Sequence, residues 1–371
     1  MKRVASEPRT DWAERLDSQG LSFHSRDQYW NEAACYEFTL AEIEQLEAAT
    51  GELHQLCIEA LRRLVSEQRL GQLKIPEAYW EALAASLQRK DFSLYGRMDL
   101  AFDGNSPPKL LEYNADTPTS LLESAVCQWY WLQERYPQFD QFNSIHERLI
   151  ARWRQLPGSG AIHLAFAADS EEDWVCATYL MDTVTQAGRT ALQLNIEDVG
   201  LDASHGCFVD LQGAPIEQLF KLYPWEWMLR ESFGPSIVGS RTQFIEPLWK
   251  AALSCKGLLP ILWELNPGHQ NLLPAYFEPA QLSEYAKKPL YSREGANVEL
   301  YSGGRCLQKL DGAYGEDGYI FQALQRLPDF DGYHPVIGTW LVAGEPAGMG
   351  IREDRALITS NTSQFVPHYF L

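Results

Sequence analysis

Apolar residues in the first quarter of the chain recur every three or four positions, which is the spacing of a helix packed along one face. Thr39 and Glu42 match a capping box, so a long helix is predicted from Thr39 to about Leu70. Its apolar stripe consists of Leu40, Ile43, Leu46, Leu53, Leu56, Ala60, Leu61 and Leu64. A second helix is predicted over "PEAYWEALAASLQR", where Pro76 lies in the first turn.

The pattern then changes to the two-residue alternation of strands. The stretch "YGRMDLAFDGNSPPKLLEYNA" predicts two strands joined by the turn-rich "DGNSPP". We expect the strands to pair as an antiparallel hairpin in which Phe102 lies opposite Lys109.

This pairing gives the hairpin one polar face and one apolar face. The polar face carries two opposed pairs, Asp99 with Glu112 and Arg97 with Asn114. The apolar face carries Met98, Leu100, Leu111 and Tyr113. A shift of one residue in register would separate the polar cluster.

Residues 155–200 have the pattern of a βαβ unit, which favours a parallel sheet. "AIHLAFAA" and "TALQLNI" are predicted strands, and "CFVDL" is a further candidate strand. The helix between the first two begins after Asp169 or Ser170 and ends at Gly188. "GPSIVGSRT" and "KGLLPILWELNPGHQNLLP" are interpreted as connections.

The segments after residue 250 are strand-like and separated by glycine-rich turns, which predicts an antiparallel sheet in a distinct domain. They are "EYAKKPLYS", "ANVELYS", "GYIFQAL", "PVIGTWLV" and "AGMGIRED". We therefore expect a helical region with the hairpin in residues 1–150, an α/β domain in 155–250 and a third domain in 251–371.

Composition excludes several classes of protein. The chain carries 31 basic and 50 acidic residues, a net charge of −19, which argues against a nucleic-acid partner. This charge suits a cationic partner, although many globular proteins are simply acidic.

The seven cysteines show no paired spacing, and no apolar run is long enough to span a membrane or serve as a signal peptide. We expect a cytoplasmic protein with reduced thiols and no membrane partner.

The polar face of the hairpin is the strongest candidate site. Two carboxylates about 5 Å apart repel by roughly 3 kcal/mol at an effective dielectric near 20. Arg97 supplies one compensating charge, and Mg²⁺ bound by Asp99, Glu112 and Asn114 would supply more. Spacing alone leaves open whether this face holds a metal or is only solvated.

Phosphate chemistry is the other candidate. The sequence contains no P-loop, no G-x-G-x-x-G after a strand, no H-E-x-x-H and no G-x-S-x-G. Lys288 precedes the flexible "SREGAN", whose backbone N–H groups could close over phosphates, and Lys256 lies in "SCKGLLP". Taken singly, each lysine could equally be a surface residue.

The chain resembles the glutathionylspermidine synthase family, and specifically its short bacterial members without an amidase domain. The resemblance runs in order along most of the chain. It is carried by "GRMDLAFDGNSPPKLLEYNADTPTSLLE", "FKLYPWEWM", "SCKGLLPILWE", "KKPLYSREGANV", "GTWLVAGEPAGMGIRED" and "SQFVPH".

The resemblance implies an α+β ATP-grasp fold with an associated pre-ATP-grasp α/β substrate domain at 155–250 and the nucleotide-binding domain at 251–371. The implied activity is an ATP-dependent carboxylate–amine ligase with an acyl-phosphate intermediate and two Mg²⁺ ions. The implied substrates are a thiol peptide and an amine or polyamine.

The same resemblance assigns roles to individual residues of this chain. The implied catalytic residues are Arg97 and Arg352, and the implied metal ligands are Asp99, Glu112 and Asn114. The implied ATP-binding residues are Lys256, Lys288, Gln322 and Leu324. The implied substrate-binding residues are Thr117, Thr119, Glu171 and Glu172. Glu171 and Glu172 could instead be ordinary first-turn acids of a helix.

Two features depart from the family pattern. Leu222 and Tyr223 stand where full-length synthases have a hydroxyl and an aromatic residue, and Pro118 interrupts the hydroxyl run.

Two other hypotheses are a catalytically silent ATP- or peptide-binding homologue and a two-carboxylate glycosidase. The joint presence of the arginine, the carboxylates and both lysines argues against the silent homologue, and Arg97 beside Asp99 argues against the glycosidase.

Overall fold

The computed structural model describes residues 1–279 and 282–371. Its helices are α1 (Trp12–Gln19), α2 (Leu40–Ser66), α3 (Trp80–Arg89), α4 (Gln128–Arg135), α5 (Ile145–Arg154), α6 (Glu171–Gln186), α7 (Trp225–Met228), α8 (Gly234–Ile237), α9 (Lys250–Ser254) and α10 (Leu258–Leu265).

Its strands are β1 (Lys2–Ala5), β2 (Ala34–Phe38), β3 (Tyr95–Ala101), β4 (Lys109–Asn114), β5 (Ile162–Phe166), β6 (Ala191–Asn195), β7 (Gly200–Asp202), β8 (Cys207–Val209), β9 (Gln218–Leu222), β10 (Gln243–Ile245), β11 (Ala275–Tyr276), β12 (Glu284–Pro289), β13 (Glu299–Ser302), β14 (Arg305–Lys309), β15 (Tyr319–Ala323), β16 (His334–Val342), β17 (Glu345–Asp354), β18 (Gln364–Phe365) and β19 (His368–Phe370). Among the described residues, no helix has both the length and the apolar character needed to cross a membrane.

The two predicted N-terminal helices are present. Helix α2 begins after Thr39, and its capping box is complete: Thr39 Oγ1 accepts from the Glu42 N–H, and the Glu42 carboxylate accepts from the Thr39 N–H. The helix ends at Ser66, four residues earlier than predicted. Helix α3 begins only at Trp80 because a 3₁₀ turn occupies the residues directly after Pro76.

The hairpin of β3 and β4 has the predicted pairing at the end that carries the four polar residues. Asp99 lies opposite Glu112, and Arg97 lies opposite Asn114. The register shifts between Asp99 and Leu100, so Lys109 pairs with Ala101. The predicted pair of Phe102 with Lys109 is therefore wrong.

This irregularity also changes which side chain of β4 enters the core. An extra residue on one strand reverses the alternation beyond it. Leu110 is fully buried, whereas Leu111 is only half-buried. The prediction that Leu111 faces the core is wrong, and Leu110 takes that place.

The hairpin belongs to an antiparallel sheet of order β18–β17–β16–β3–β4. A second antiparallel sheet has the order β11–β15–β12–β13–β14. All five C-terminal segments predicted as strands form strands, but they divide between these two sheets instead of forming one. Because β16 pairs with β3, the hairpin shares a sheet with residues beyond the boundary expected at 250. The division into three domains remains a prediction.

The βαβ unit is confirmed and belongs to a parallel sheet of order β10–β9–β5–β6. Ser170 is the N-cap of α6, and its hydroxyl accepts from the Asp173 N–H at 3.2 Å. Gly188, just beyond the helix, has a φ of +82° that suits glycine. The predicted strand "CFVDL" is β8, which pairs with β7 in a separate ribbon.

Two segments interpreted as connections contain helices, so that interpretation is wrong. "KGLLPILWELNPGHQNLLP" contains α10, and "GPSIVGSRT" contains α8. Pro260 is compatible with α10 because it lies in the first turn, where its missing N–H would have no partner in the helix.

The main hydrophobic core joins these layers. It includes Leu46 and Leu61 of α2, Met98 of β3, Ile261 of α10 and Ile337 of β16. Because the apolar side of the hairpin is fixed in this core, its polar side must face away from it. All seven cysteines are free thiols and six are buried, as their scattered spacing predicted.

Candidate active site

The polar face of the hairpin forms a network of ion pairs and hydrogen bonds. Arg97 Nε and Nη2 donate to the two carboxylate oxygens of Asp99 at 2.7 and 3.0 Å. The Asn114 amide donates to Asp99 at 3.2 Å and to Glu112 at 3.0 Å. The opposed carboxylates are thus compensated within the protein, even without a metal.

The two carboxylates have different electrostatic surroundings. Burial alone would raise the pKa of Glu112, but Lys256 and Lys288 outweigh burial and lower this pKa to about 2. Lys256 Nζ lies 3.1 Å from Glu112 Oε2. Burial raises the pKa of Asp99, and the opposing charge of Arg97 does not fully cancel that effect. Glu112 is therefore the more strongly anionic of the pair.

Lys288 and Gln322 lie against the outer edge of β4. Lys288 Nζ donates to the Leu111 carbonyl at 2.9 Å and to Gln322 Oε1 at 2.7 Å. Gln322 Nε2 donates to the Leu110 carbonyl at 2.9 Å. Because β4 is the last strand of its sheet, its outward carbonyls are available as acceptors. Burial lowers the pKa of Lys288 to about 8.

A cavity of about 120 Å³ opens beside this edge. Its polar wall contains Asp99, Glu112, Lys288 and Gln322. Its apolar wall is contributed by both antiparallel sheets and the segment after β17, through Ala286, Val298, Leu300, Leu324, Val336 and Ile358. An apolar slot with a few convergent polar groups suits a flat heterocycle bearing a charged tail.

A larger cavity of about 500 Å³ adjoins the small one. One of its walls lies beyond the carboxyl ends of β5 and β9, in the segments 167–173 and 222–227. In the sheet, β6 lies on one side of β5 and β9 lies on the other. The connections that follow β5 therefore lead to opposite sides of the sheet, and this cavity wall lies at the point where they diverge. Such a reversal is the usual ligand site of a parallel sheet.

The hydroxyl run reaches the large cavity. Thr117 and Thr119 both line it, and the Thr119 carbonyl accepts from Arg97 Nη1 at 2.8 Å. Pro118 also lines the cavity, between them.

The predicted acidic pair is not brought together. Glu172 lines the large cavity, as does Asp173. Glu171 instead accepts hydrogen bonds from Ser22 and Arg26, outside that cavity. Neighbouring residues on a helix point about 100° apart, so both members of such a pair cannot face one cavity equally.

Arg352 lines the large cavity and also holds the segment that follows β17. Its guanidinium donates to the backbone carbonyls of Ser360 at 2.7 Å, Asn361 at 3.1 Å and Ser363 at 2.9 Å. The side chain therefore fixes the loop that borders both cavities at Thr359.

Sequence reasoning missed Arg293 and Glu226 as lining residues. Arg293 Nη1 donates to Glu226 Oε1 at 2.9 Å, and its Nη2 lies 3.4 Å from Thr117 Oγ1. Both residues occur within segments that carry the family resemblance, but no local pattern marks them as partners. Sixty-six residues separate them in the chain, so only the fold shows the contact.

Asp116 was also missed, and its role is structural. It and Lys221 are fully buried and form an ion pair. The second oxygen of Asp116 accepts from the Trp225 N–H at 2.9 Å. The ion pair therefore holds Asp116, which closely follows Asn114 in the chain, against the segment that contains Glu226.

The residues present suit Mg²⁺. Within residues 1–279 and 282–371, no group of three or more His, Cys, Asp or Glu side chains could hold a metal ion. A cation here would therefore take the carboxylates of Asp99 and Glu112, with Asn114 beside them and further oxygens from a ligand. Mg²⁺ in nucleotide sites typically has one or two protein carboxylates, with phosphates and water completing its shell.

The overall fold has a counterpart among solved structures. The apo structure of a glutathione synthetase-like effector from Globodera pallida covers 98% of both chains with a TM-score of 0.57 and 10% sequence identity. At this identity the likeness shows the fold alone. The fold is of the ATP-grasp type.

The family model for the glutathionylspermidine synthase pre-ATP-grasp domain matches residues 3–371. The chain therefore belongs to the glutathionylspermidine synthase family, whose members are ATP-dependent carbon–nitrogen ligases. A Haemophilus influenzae protein provisionally named an acid–amine ligase is 42% identical over the full length of both chains.

A second relative is longer than this chain. The bifunctional glutathionylspermidine synthetase/amidase of Escherichia coli is 27% identical, and the alignment covers 96% of this chain but 63% of that protein. The chain thus spans the whole of one relative and less than two thirds of the other.

Proposed function

We propose that this protein joins a carboxylic acid to an amine, using ATP to form an acyl phosphate that the amine then displaces. The observation that carries this proposal is the position of Asp99 and Glu112, which line both the small and the large cavity. Carboxylates at such a junction can hold Mg²⁺ between a nucleotide in one cavity and an acid in the other.

The small cavity is the proposed nucleotide site. Gln322 and Leu324 would border the adenine, and Lys256 and Lys288 would hold the phosphates. Two Mg²⁺ ions on Asp99, Glu112 and Asn114 would neutralise charge on the phosphoryl oxygens. A carboxylate is a poor electrophile until it is phosphorylated, so positioning and charge are the main requirements of this step.

The part of the large cavity nearest the hairpin is the proposed site for the acid. Arg97 and Arg293 supply positive charge there, and Thr117 and Thr119 supply hydroxyls. Arg97 would stabilise charge that develops as the acyl phosphate forms and is attacked. Arg352 would contribute by fixing the loop that borders both cavities.

The outer part of the large cavity is acidic, which suits an amine. Burial, together with the neighbouring charge of Glu172, raises the pKa of Asp173 to about 7. The same causes raise the pKa of Glu294. A cationic amine would relieve the repulsion among these carboxylates. By analogy with the Escherichia coli relative, we propose a thiol peptide as the acid and a polyamine as the amine.

The test is release of ADP from MgATP by the purified protein, with glutathione and other thiol peptides paired with spermidine and other amines. We expect ADP release that requires both an acid and an amine. The matched control is the double variant Asp99→Asn/Glu112→Gln, which should release none. Nucleotide binding without ADP release from any pair would instead indicate a catalytically silent homologue.

A further inference from the structure

Amide formation requires a group that accepts protons from the amine. A primary amine is protonated at neutral pH, and its ammonium form has no lone pair with which to attack an acyl phosphate. Histidine is the side chain that most often takes such a proton. Within the described part of the chain, no histidine lines the large or the small cavity. The proton acceptor is therefore to be sought among the carboxylates.

Several carboxylates that line the large cavity are already paired with cations. The pairs are Asp99 with Arg97, Glu112 with Lys256 and Glu226 with Arg293. Asp173 also lines this cavity, but among the described residues no cation forms an ion pair with its carboxylate. Asp173 can therefore take a proton without breaking an ion pair of the protein.

The position of Asp173 is fixed by its helix. It lies in the first turn of α6, beyond the carboxyl end of β5, and its N–H donates to Oγ of the N-cap Ser170 at 3.2 Å. Arg293, whose charge acts on Asp173, lies with Nη2 3.4 Å from Thr117 Oγ1, in the part of the cavity proposed for the acid. Asp173 thus lies near the boundary where the acid and the amine would meet.

The surroundings of Asp173 favour proton transfer near neutral pH. Burial is the main cause that raises the pKa of Asp173 to about 7, and the charges of Glu172 and Glu294 add to the rise. The hydroxyl of Ser170 and the charge of Arg293 lower this pKa but do not cancel the rise. A catalytic base is most effective when its pKa is close to the pH at which the enzyme works.

Two other titratable side chains face Asp173, namely Tyr95 of β3 and Cys176 of α6. Burial raises the pKa of each well above its usual range, so both remain neutral near pH 7. Of these three groups, only Asp173 changes its charge near neutral pH.

We propose that Asp173 is a catalytic base that takes a proton from the ammonium group of the amine substrate. This inference rests on the proposed function, because it assumes that the amine binds in the large cavity. One N–H bond breaks, its electron pair stays on nitrogen, and the proton forms an O–H bond on Asp173. The nitrogen then forms the C–N bond, and phosphate leaves with the electron pair of the C–O bond. The surplus proton on nitrogen goes to the leaving phosphate.

Asp173→Asn should lose this proton transfer, because an amide of the same shape cannot accept the proton. With glutathione, spermidine and MgATP, kcat should fall about 100-fold or more. In the wild type kcat should rise as pH increases through about 7, since only ionised Asp173 accepts a proton. The variant should lack this transition, and its rate should instead rise about tenfold per pH unit with the fraction of unprotonated amine.

Hydroxylamine tests whether the loss concerns only proton removal. It is largely unprotonated at neutral pH and needs no base to attack an acyl phosphate. Asp173→Asn should therefore form the hydroxamate from glutathione, MgATP and hydroxylamine at nearly the wild-type rate. This result would also show that the variant is folded and still makes the acyl phosphate.

Two further variants act as controls. Asp182→Asn removes an exposed carboxylate from the same helix and should match the wild type with both amines. Glu294→Gln removes a like charge near Asp173, so the transition in the pH profile with spermidine should move to lower pH.

The outcomes separate this inference from the proposed function. No turnover by the wild type with any acid and amine would overturn the proposed function, and this inference with it. A raised KM for spermidine with unchanged kcat in Asp173→Asn would overturn the inference alone, because Asp173 would then only bind the amine. Equal losses with spermidine and hydroxylamine would also overturn it. If Asp173→Asn does not fold, a pH profile left unchanged by Glu294→Gln would overturn it instead.

Discussion

Gly338 of β16 leaves the space that the side chain of Arg97 occupies. A Cβ at position 338 would lie 2.7 Å from Arg97 Cδ and 3.2 Å from its Nε. Gly338 pairs with Asp99 on the neighbouring strand, so the Arg97 side chain crosses over β16 on its way to that carboxylate. The position of the guanidinium thus depends on the absence of a side chain at 338.

Gly338→Ala should therefore displace Arg97 while the fold persists. Displacement of a catalytic group by about 1 Å can lower turnover roughly 100-fold. We expect a loss of this order in the rate of ADP release. Gly51→Ala is the control, because its new Cβ would lie 3.6 Å from Pro346 and alanine favours the helix α2. Unchanged turnover in Gly338→Ala would contradict the account.

Arg97 and Lys288 should affect different steps. Arg97→Gln should lower kcat by about two to three orders of magnitude, because Arg97 is proposed to meet charge that develops during reaction. Lys288→Met should mainly weaken MgATP binding, since its ammonium lies on the wall of the small cavity. Calorimetric ATP titration beside steady-state kinetics distinguishes them. Equal loss of ATP affinity in both variants would make Arg97 only another phosphate ligand.

The buried pair of Asp116 and Lys221 should control stability strongly. Asp116→Asn leaves the fully buried Lys221 without its counter-ion and should cost about 3–5 kcal/mol in the free energy of unfolding. Adding Lys221→Met should recover much of that loss, because the uncompensated charge is gone. Urea unfolding of the single and double variants measures both effects.

A surface ion pair supplies the control for that experiment. Lys2 is 74% exposed in its pair with Glu37, so water screens the pair and Lys2→Ala should change stability far less than Asp116→Asn does. A single-variant loss at Asp116 as small as this would show that the buried pair does not hold the segment in place.

Glu123 should make stability depend on pH. Burial raises the pKa of Glu123 to about 7, and the charge of Glu172 adds to the rise. The hydrogen bond that Tyr29 donates to Glu123 at 2.6 Å and the charge of Arg352 lower this pKa but do not cancel the rise. The folded protein therefore holds this proton more tightly than the unfolded chain. The resulting stability is complete below the ordinary pKa of 4.5 and is lost as pH rises through 7.

Glu123→Gln should remove that dependence. Between pH 5 and pH 8 the wild type should lose about 2–3 kcal/mol more stability than the variant, at about 1.4 kcal/mol per pKa unit. Urea unfolding at both values measures this difference. Glu47→Gln on the exposed side of α2 should follow the wild type. Parallel curves for wild type and Glu123→Gln would contradict the raised pKa.

Local patterns in the sequence determined several features of this protein. The two-residue period of a strand is enough to place Arg97 and Asp99 on one face, and the turn between β3 and β4 brings Glu112 and Asn114 opposite them. The capping box at Thr39 and the cap at Ser170 are equally local, because their hydrogen bonds join residues three positions apart. Such features need no knowledge of the remaining chain.

Other features depend on contacts that no neighbouring residue encodes. Lys288 reaches the Leu111 carbonyl across 177 positions, and Arg293 meets Glu226 across 67. The change of register in β4, which exchanged Leu111 for Leu110 in the core, arises where the hairpin packs on other elements. Strand β9 was not predicted, because its five residues include Lys221 and a lysine is not expected in a fully buried strand. Its burial depends on the ion pair with Asp116, which is distant in sequence. Tertiary structure decided these points, since burial and charge compensation depend on partners that are distant in sequence.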